Sequence, residues 1–396
     1  VSLDQSGTIA VTLHGSRVMI DRVVFVELFE NSVVSARVPY RHALERSTIS
    51  FSDLVDLART AQVPYALCFA PRELVRAQVE TKTKKLLQGL SKDTFAVNSR
   101  TTIELSDVEL IVKDLVRKQM MLRTHDKSLV DNKIVGVLRR PRATIEEDSA
   151  VLLTALDLDV AVLRSARSKS AALSLLIDTL EAHQILVSRS VRGFMPQLIE
   201  VKFSGLTIKD RKIPYIFLSR GNHGDDEEPE GRQLFTLTLL TVLVARGIFA
   251  PVTYDGRNLA SNPGREYDIV GEILMPVAQM RTVSSDDLGE IRSTADSFKV
   301  TPSAMVVRLQ RLGLISRSGA QQHLEELRLE FANRPKSQGR QPRPVNGVRT
   351  YNGRELSVRM LGALDAGKIT EGEFCRAVCA NKIRPREIRD FREALG

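Results

Sequence analysis

The sequence predicts an α+β chain that is mainly helical and carries one short β-sheet. Apolar residues recur at helical spacing through most of its longer segments, as in Val108, Ile111, Val112, Leu115 and Val116. Two short runs, residues 199–208 and 213–218, read instead as strands, the first alternating and interrupted by Gly205. Apolar residues make up 43% and charged residues 27% of the chain, the balance of a folded globular protein, and 396 residues exceed what one ordinary core organises.

In chain order, residues 8–34 are rich in β-branched side chains and read as short strands or a mixed start, with Gly7 and Gly15 as punctuation. A helix follows Ser50 or Ser52 as cap, with Asp53 in its first turn, Leu54, Leu57, Ala58 and Ala61 on one face, and Val63-Pro64 as its end. Residues 80–90 and 106–121 are helical, and residues 145–163 form one further apolar helical region opened by Glu146, Glu147 and Asp148. Residues 171–183 form an amphipathic helix that leads into a short strand at Ile185, Leu186 and Val187.

Residues 221–231 hold an acidic run that reads as a solvated loop, and Leu234 to Ala245 is apolar or Thr on every side, the mark of a helix buried all round. Residues 266–276 form a helix. Residues 286–316 form a helical pair turning at Val300, Thr301 and Pro302, with Gly313 as the stop. Pro335, Gly339, Pro342, Pro344 and Gly347 make residues 333–350 a basic exposed linker, and two or three short helices complete residues 351–395.

The formal charge is +9, with Lys and Arg spread along the chain, which favours contact with a polyanion without locating it. Cys68, Cys375 and Cys379 are too few for a disulfide framework and point to a reducing compartment; Cys375 and Cys379 share a helix face and pack there. With no run of about 18 apolar residues, no membrane span is expected, and the expected location is cytoplasmic. No Gly-rich phosphate loop, C-x-x-C pair or G-x-S-x-G elbow offers a chemistry.

Several segments, taken in order, carry a resemblance. Glu181 to Val187 reads E-A-H-Q-I-L-V, with Gln184 where a Gly is usual; Gly231 to Leu243 reads G-R-Q-L-F-T-L-T-L-L-T-V-L; Glu266 to Pro276 reads E-Y-D-I-V-G-E-I-L-M-P; and Phe298 to Ile315 ends R-L-Q-R-L-G-L-I. This order resembles the ImmA/IrrE-like metallopeptidase family from about residue 49 onward, most strongly between Leu173 and Ser316. Leu54-Val55-Asp56-Leu57-Ala58, Val63-Pro64 and Phe69 resemble the end of the XRE-type helix-turn-helix that often precedes such domains. The resemblance implies a degenerate XRE-like region at 1–75, a helical bridge at 76–165, a small zincin-like domain with a short β-sheet at 166–332, the linker at 333–350 and a helical extension at 351–396.

It also implies where a zinc site belongs. Such an enzyme needs two His one helical turn apart, a Glu beside the first to take a proton from metal-bound water, and an acidic ligand from a later helix. The aligned positions are Leu239, Leu243 and Leu240, so no catalytic residue, metal or cofactor is expected; Glu266 is the best relic of the acidic ligand, with Asp268 and Glu272 beside it. No two of His14, His42, His125, His183, His223 and His323 lie at a spacing that rebuilds the pair, and His223 alone falls in the loop before the helix. Burying a leucine in place of each ligand contributes roughly 2 kcal/mol.

The reading that follows is a non-catalytic regulator of prophage, stress-response, toxin-antitoxin or phage-defence control. It would bind a protein partner such as a repressor, a toxin or antitoxin, or a phage protein. A sheet edge at Ile213, Tyr215 and Phe217, with His223 nearby, is the expected place for a partner strand. The alternative is a DNA-binding transcriptional regulator, drawing on residues 49–71, the pair at 286–316 and the basic Arg334, Lys336, Arg340 and Arg343. The third is a metallopeptidase with a divergent ligand set.

Overall fold

The computed structural model describes residues 7–30, 32, 34–35, 37–87, 95–97, 105–197, 204–222, 226–254, 264–283, 286–334 and 341–396. It is a mixed α/β protein with two compact units, one of Val1–Gly89 with Ile103–Asp114, the other of Leu90–Thr102 with Leu115–Gly396.

In the first unit, β1 (Thr8–Leu13) and β2 (Ser16–Asp21) form an antiparallel hairpin. Its turn is His14-Gly15, both at positive φ (48° and 82°), the two-residue geometry that matches strand twist. Asp21 ends β2 and caps α1 (Arg22–Phe29) by accepting from the Val23 N–H at 2.8 Å. After α2 (Val38–Arg46) comes β3 (Thr48–Ser50), which pairs in parallel with β1, so a strand and not a tight helix-to-helix turn leads into α3 (Phe51–Thr60). Ser50 caps α3 through the Asp53 N–H at 3.0 Å. A 3-10 turn (Tyr65–Phe69) and α4 (Arg72–Leu87) follow, and Ile9, Val11, Ile20, Phe25, Phe29, Leu54 and Leu57 form the core.

The second unit is built on a five-stranded sheet. It begins with β4 (Phe95–Val97) and α5 (Leu105–His125), a helix whose residues divide between the units at Asp114. The single helix expected over 145–163 is two, α6 (Ile145–Ala155) and α7 (Val160–Ser165). Asp157 takes φ of 47° between them, and Asp159 restarts the chain by capping the Ala161 N–H at 2.8 Å. Then come α8 (Lys169–Ala182), β5 (Leu186–Arg189), β6 (Gly205–Ile208) and β7 (Tyr215–Leu218). The acidic run expected as a loop includes a small hairpin, β8 (Gly221–Asn222) with β9 (Asp226–Glu227), while Asp225 lies outside the described residues.

Next are α9 (Glu230–Arg246), β10 (Pro251–Tyr254), α10 (Arg265–Leu274), α11 (Val277–Met280), α12 (Leu288–Ser297), α13 (Pro302–Arg311) and α14 (Arg317–Ala332). The sheet order is β4-β10-β6-β7-β5, with β6 antiparallel to both its neighbours and β7 parallel to β5.

The linker expected to run through residue 350 stops earlier. Pro344 sits in the first turn of α15 (Pro344–Asn352), where its missing N–H costs no bond, and Gly347 lies against the Phe194 ring. Helices α16 (Arg354–Asp365), α17 (Glu371–Glu373) and α18 (Ile388–Leu395) complete the chain. The α15–α16 junction closes over the outer strand of the sheet. Ser188 on β5 donates to the Tyr351 carbonyl at 2.5 Å, Tyr215 on β7 donates to the Asn352 carbonyl at 2.8 Å, and the buried Asn352 amide accepts from Lys118 Nζ at 2.7 Å and donates to the Val378 carbonyl at 3.1 Å. Cys68, Cys375 and Cys379 are buried free thiols, and burial pushes Cys68 up to about 12. Among the described residues no helix is long and apolar enough to cross a membrane.

Candidate functional site

Helix α9 lies under the sheet, packed against β6 and β7 on one side and against α8 and α10 on others, which explains its apolar circumference. The polar groups inside it are satisfied locally: Thr238 donates to the Leu234 carbonyl at 2.9 Å and Thr241 to the Leu237 carbonyl at 2.8 Å. The helix stops at Gly247, whose φ of 71° supplies the left-handed cap.

Leu239, Leu240 and Leu243 are all buried, with relative exposures of 1%, 0% and 0%. Leu240 faces the sheet. A Cβ on Gly205 of β6 would come within 2.7 Å of its Cδ1 and within 2.6 Å of the Phe217 carbonyl oxygen, so the glycine that interrupts the strand pattern makes room for this leucine. Leu239 and Leu243 share another stripe, and helical spacing continues it to Arg246.

Arg246 is the residue that sequence reasoning missed. Its Nε donates to Glu266 Oε1 at 3.2 Å, and its Nη1 donates to the Leu138 carbonyl at 2.8 Å. Both partners of the ion pair are largely buried, with side-chain exposures of 16% and 10%. The acid read as a relic ligand is therefore engaged by an arginine of α9, one helical turn past Leu243.

The other ionisable groups of α10 are held in the same way. Asp268 is bound by Arg311 of α13, Glu272 by Arg308 of α13 at 2.7 Å, and Arg265 by the fully buried Asp148 of α6 at 2.7 Å. Arg308 also donates to the Met275 carbonyl at 3.0 Å, and burial pulls its pKa down against the opposing effect of Glu272. A signal for these pairs was present in the spacing: Asp268 and Glu272 stand one turn apart on one helix, as do Arg308 and Arg311 on another.

Leu239, Leu240 and Leu243 do not fit a zinc ion. Leucine has no donor atom, and Glu266 is engaged by the Arg246 guanidinium. Among the described residues, no three His, Cys, Asp or Glu side chains gather as a metal-holding group. His223 lies outside the described residues.

The expected sheet edge at Ile213, Tyr215 and Phe217 is corrected. Strand β7 is interior, bonded to β6 on one side and β5 on the other, so no backbone edge is open there to a partner strand. All three side chains are fully buried, and the Tyr215 hydroxyl is bonded to the chain's own α15.

No family model matches the chain, and neither a curated protein nor a solved structure matches it.

Proposed function

We propose that residues 166–332 are a zincin-like domain of the ImmA/IrrE-like type in which packing has replaced chemistry, and that the protein is a non-catalytic regulator acting by binding a protein partner. The observation that carries this reading is the Arg246–Glu266 ion pair at the end of the Leu239–Leu243 stripe. A helix-borne zinc site needs a stripe of donors on one helix and a carboxylate delivered by a later helix. Here Glu266 of the later helix reaches α9, the stripe is leucine, and Arg246 at its end pairs with the carboxylate at 3.2 Å.

The element order supports the same reading: α8, β5, the β6–β7 pair and then α9 beneath the sheet. A base-reading role for α13 draws less support, because Arg308 and Arg311 are both bound to α10.

The test is to recover the proteins held by the full chain in its native host, purify each, and follow the intact mass of both components during prolonged incubation. Saturable binding at fixed stoichiometry with unchanged masses is the expected result. Fragments of the partner whose appearance stops on adding a metal chelator would overturn the reading.

A further inference from the structure

Strand β2 is an outer strand of the first unit's sheet, whose order is β2-β1-β3. The hydrogen-bond alternation fixes which of its backbone groups face outward. Arg22 N–H donates to the Gly7 carbonyl at 3.1 Å, and the register pairs Thr8 with Asp21, so Ser16, Val18, Ile20 and Arg22 are the residues bonded to β1. Among the described residues, Arg17 and Met19 therefore turn their N–H and C=O groups to the open side, and Asp21 its N–H, because the Asp21 carbonyl opens the bonding of α1.

The protection this edge carries is the charge of Arg17 and Asp21 near its two ends. Its sequence, Ser-Arg-Val-Met-Ile-Asp, contains no proline, lysine or bulge, and Val18 and Met19 are 53% and 55% exposed. The Tyr65–Phe69 turn packs against β2, so the exposed Tyr65 and Phe69 extend its apolar surface.

We infer that β2 is a self-docking edge that pairs antiparallel with β2 of a second copy of this chain, about a two-fold axis at Met19. Only registers that set outward residues against outward residues make bonds. Of these, the register centred on Met19 places Arg17 opposite the Asp21 of the other copy, and Asp21 opposite its Arg17. Each such pair sets the Asp21 N–H against the Arg17 carbonyl and adds an opposite-charge contact, while the central Met19 pair exchanges N–H···O=C bonds in both directions. The neighbouring register centred on Val18 sets Arg17 against Met19 and loses both charge contacts. Asp21 Oδ1 caps α1, which leaves its other oxygen to the guanidinium. The interface is isologous, as two-fold symmetry demands.

Sedimentation velocity on the full chain tests this, up to about 100 µM, where a dimer with a Kd of ~10 µM is well populated. The expected result is a concentration-dependent shift to twice the chain mass. Arg17→Asp alone and Asp21→Arg alone should each weaken association about tenfold, because both charge contacts become repulsive, and mixing the two variants should restore the dimer. Because Asp21→Arg also removes the α1 cap, Met19→Pro is the second probe: it removes an outward N–H and leaves the β1 ladder and the cap untouched. It should weaken association at least as much as either charge variant. A chain that sediments as a monomer throughout, or a dimer indifferent to both Arg17→Asp and Met19→Pro, would overturn the proposal.

Discussion

Arg246 and Glu266 meet at 3.2 Å, one helical turn beyond Leu243, and tie α9 to α10. Removing one member of a buried pair strands the other's charge, which costs more than the pair contributes. Glu266→Ala is expected to lower stability by about 3 kcal/mol in urea unfolding. The double variant Arg246→Met, Glu266→Leu should lose less than that single change. A loss below about 0.5 kcal/mol for Glu266→Ala would show that the pair behaves like a solvated one.

The geometry of the stripe can be tested by rebuilding it. Leu239→His, Leu243→His and Arg246→Leu together place two imidazoles one turn apart and release Glu266. Without metal this variant should be destabilised by several kcal/mol, since buried imidazoles lack partners. Zinc should then raise its melting temperature, and Glu266→Gln in the same background should weaken that response. A melting temperature that ignores zinc would mean these side chains do not converge, and the zincin-like reading would fall.

Gly205 and Leu240 make a steric pair. Gly205→Ala forces a Cβ against both Leu240 Cδ1 and the Phe217 carbonyl, and overpacking of this kind costs about 1–3 kcal/mol. Adding Leu240→Ala relieves only the side-chain half of the conflict. A double-mutant cycle in urea should therefore show favourable but incomplete coupling.

Glu181 gives a pH signature. It sits on α8 with Oε2 accepting the Glu355 N–H at 3.2 Å, and burial pushes its carboxyl up to about 7, with repulsion from Glu355 and Asp178 added. The folded value lies above the ordinary 4.5, so the native state holds a proton that the unfolded chain releases. Its contribution is complete below about pH 4.5 and is lost as pH rises through about 7. Glu181→Gln, which mimics the protonated form, should match the parent near pH 4.5 and exceed it by up to about 3 kcal/mol at pH 8. Equal stability of the two proteins at both pH values would contradict this.

What could be read from the sequence was what local pattern controls. The apolar circumference of Leu234 to Ala245 announced a helix enclosed on all sides, and Ser50, Thr301 and Gly313 marked helix ends where the structure has them. What escaped was set by distant partners. The unbroken burial of Tyr215 to Leu218 is the pattern of an interior strand, yet only the pairing with both β5 and β6 decides that β7 has no free side. Pro344 looked like a linker residue because proline opens helices and breaks them with equal ease. Gln184 takes the left-handed backbone, φ 59°, that a glycine adopts at least cost, and its side chain donates to the Val130 carbonyl at 2.8 Å. Arg246 stood in plain view as an ordinary helix-ending cation; its role depends on Glu266 of the following helix.

The junction at Asn352 has a consequence for biosynthesis. One face of β5 and β7 is covered at Tyr351 and Asn352, and that segment leaves the ribosome long after Arg189 does. At about 5–20 residues per second, the nascent chain carries this sheet face uncovered for roughly ten to thirty seconds. A holding chaperone, or a pause in translation before residue 344, would act on the protein in that interval.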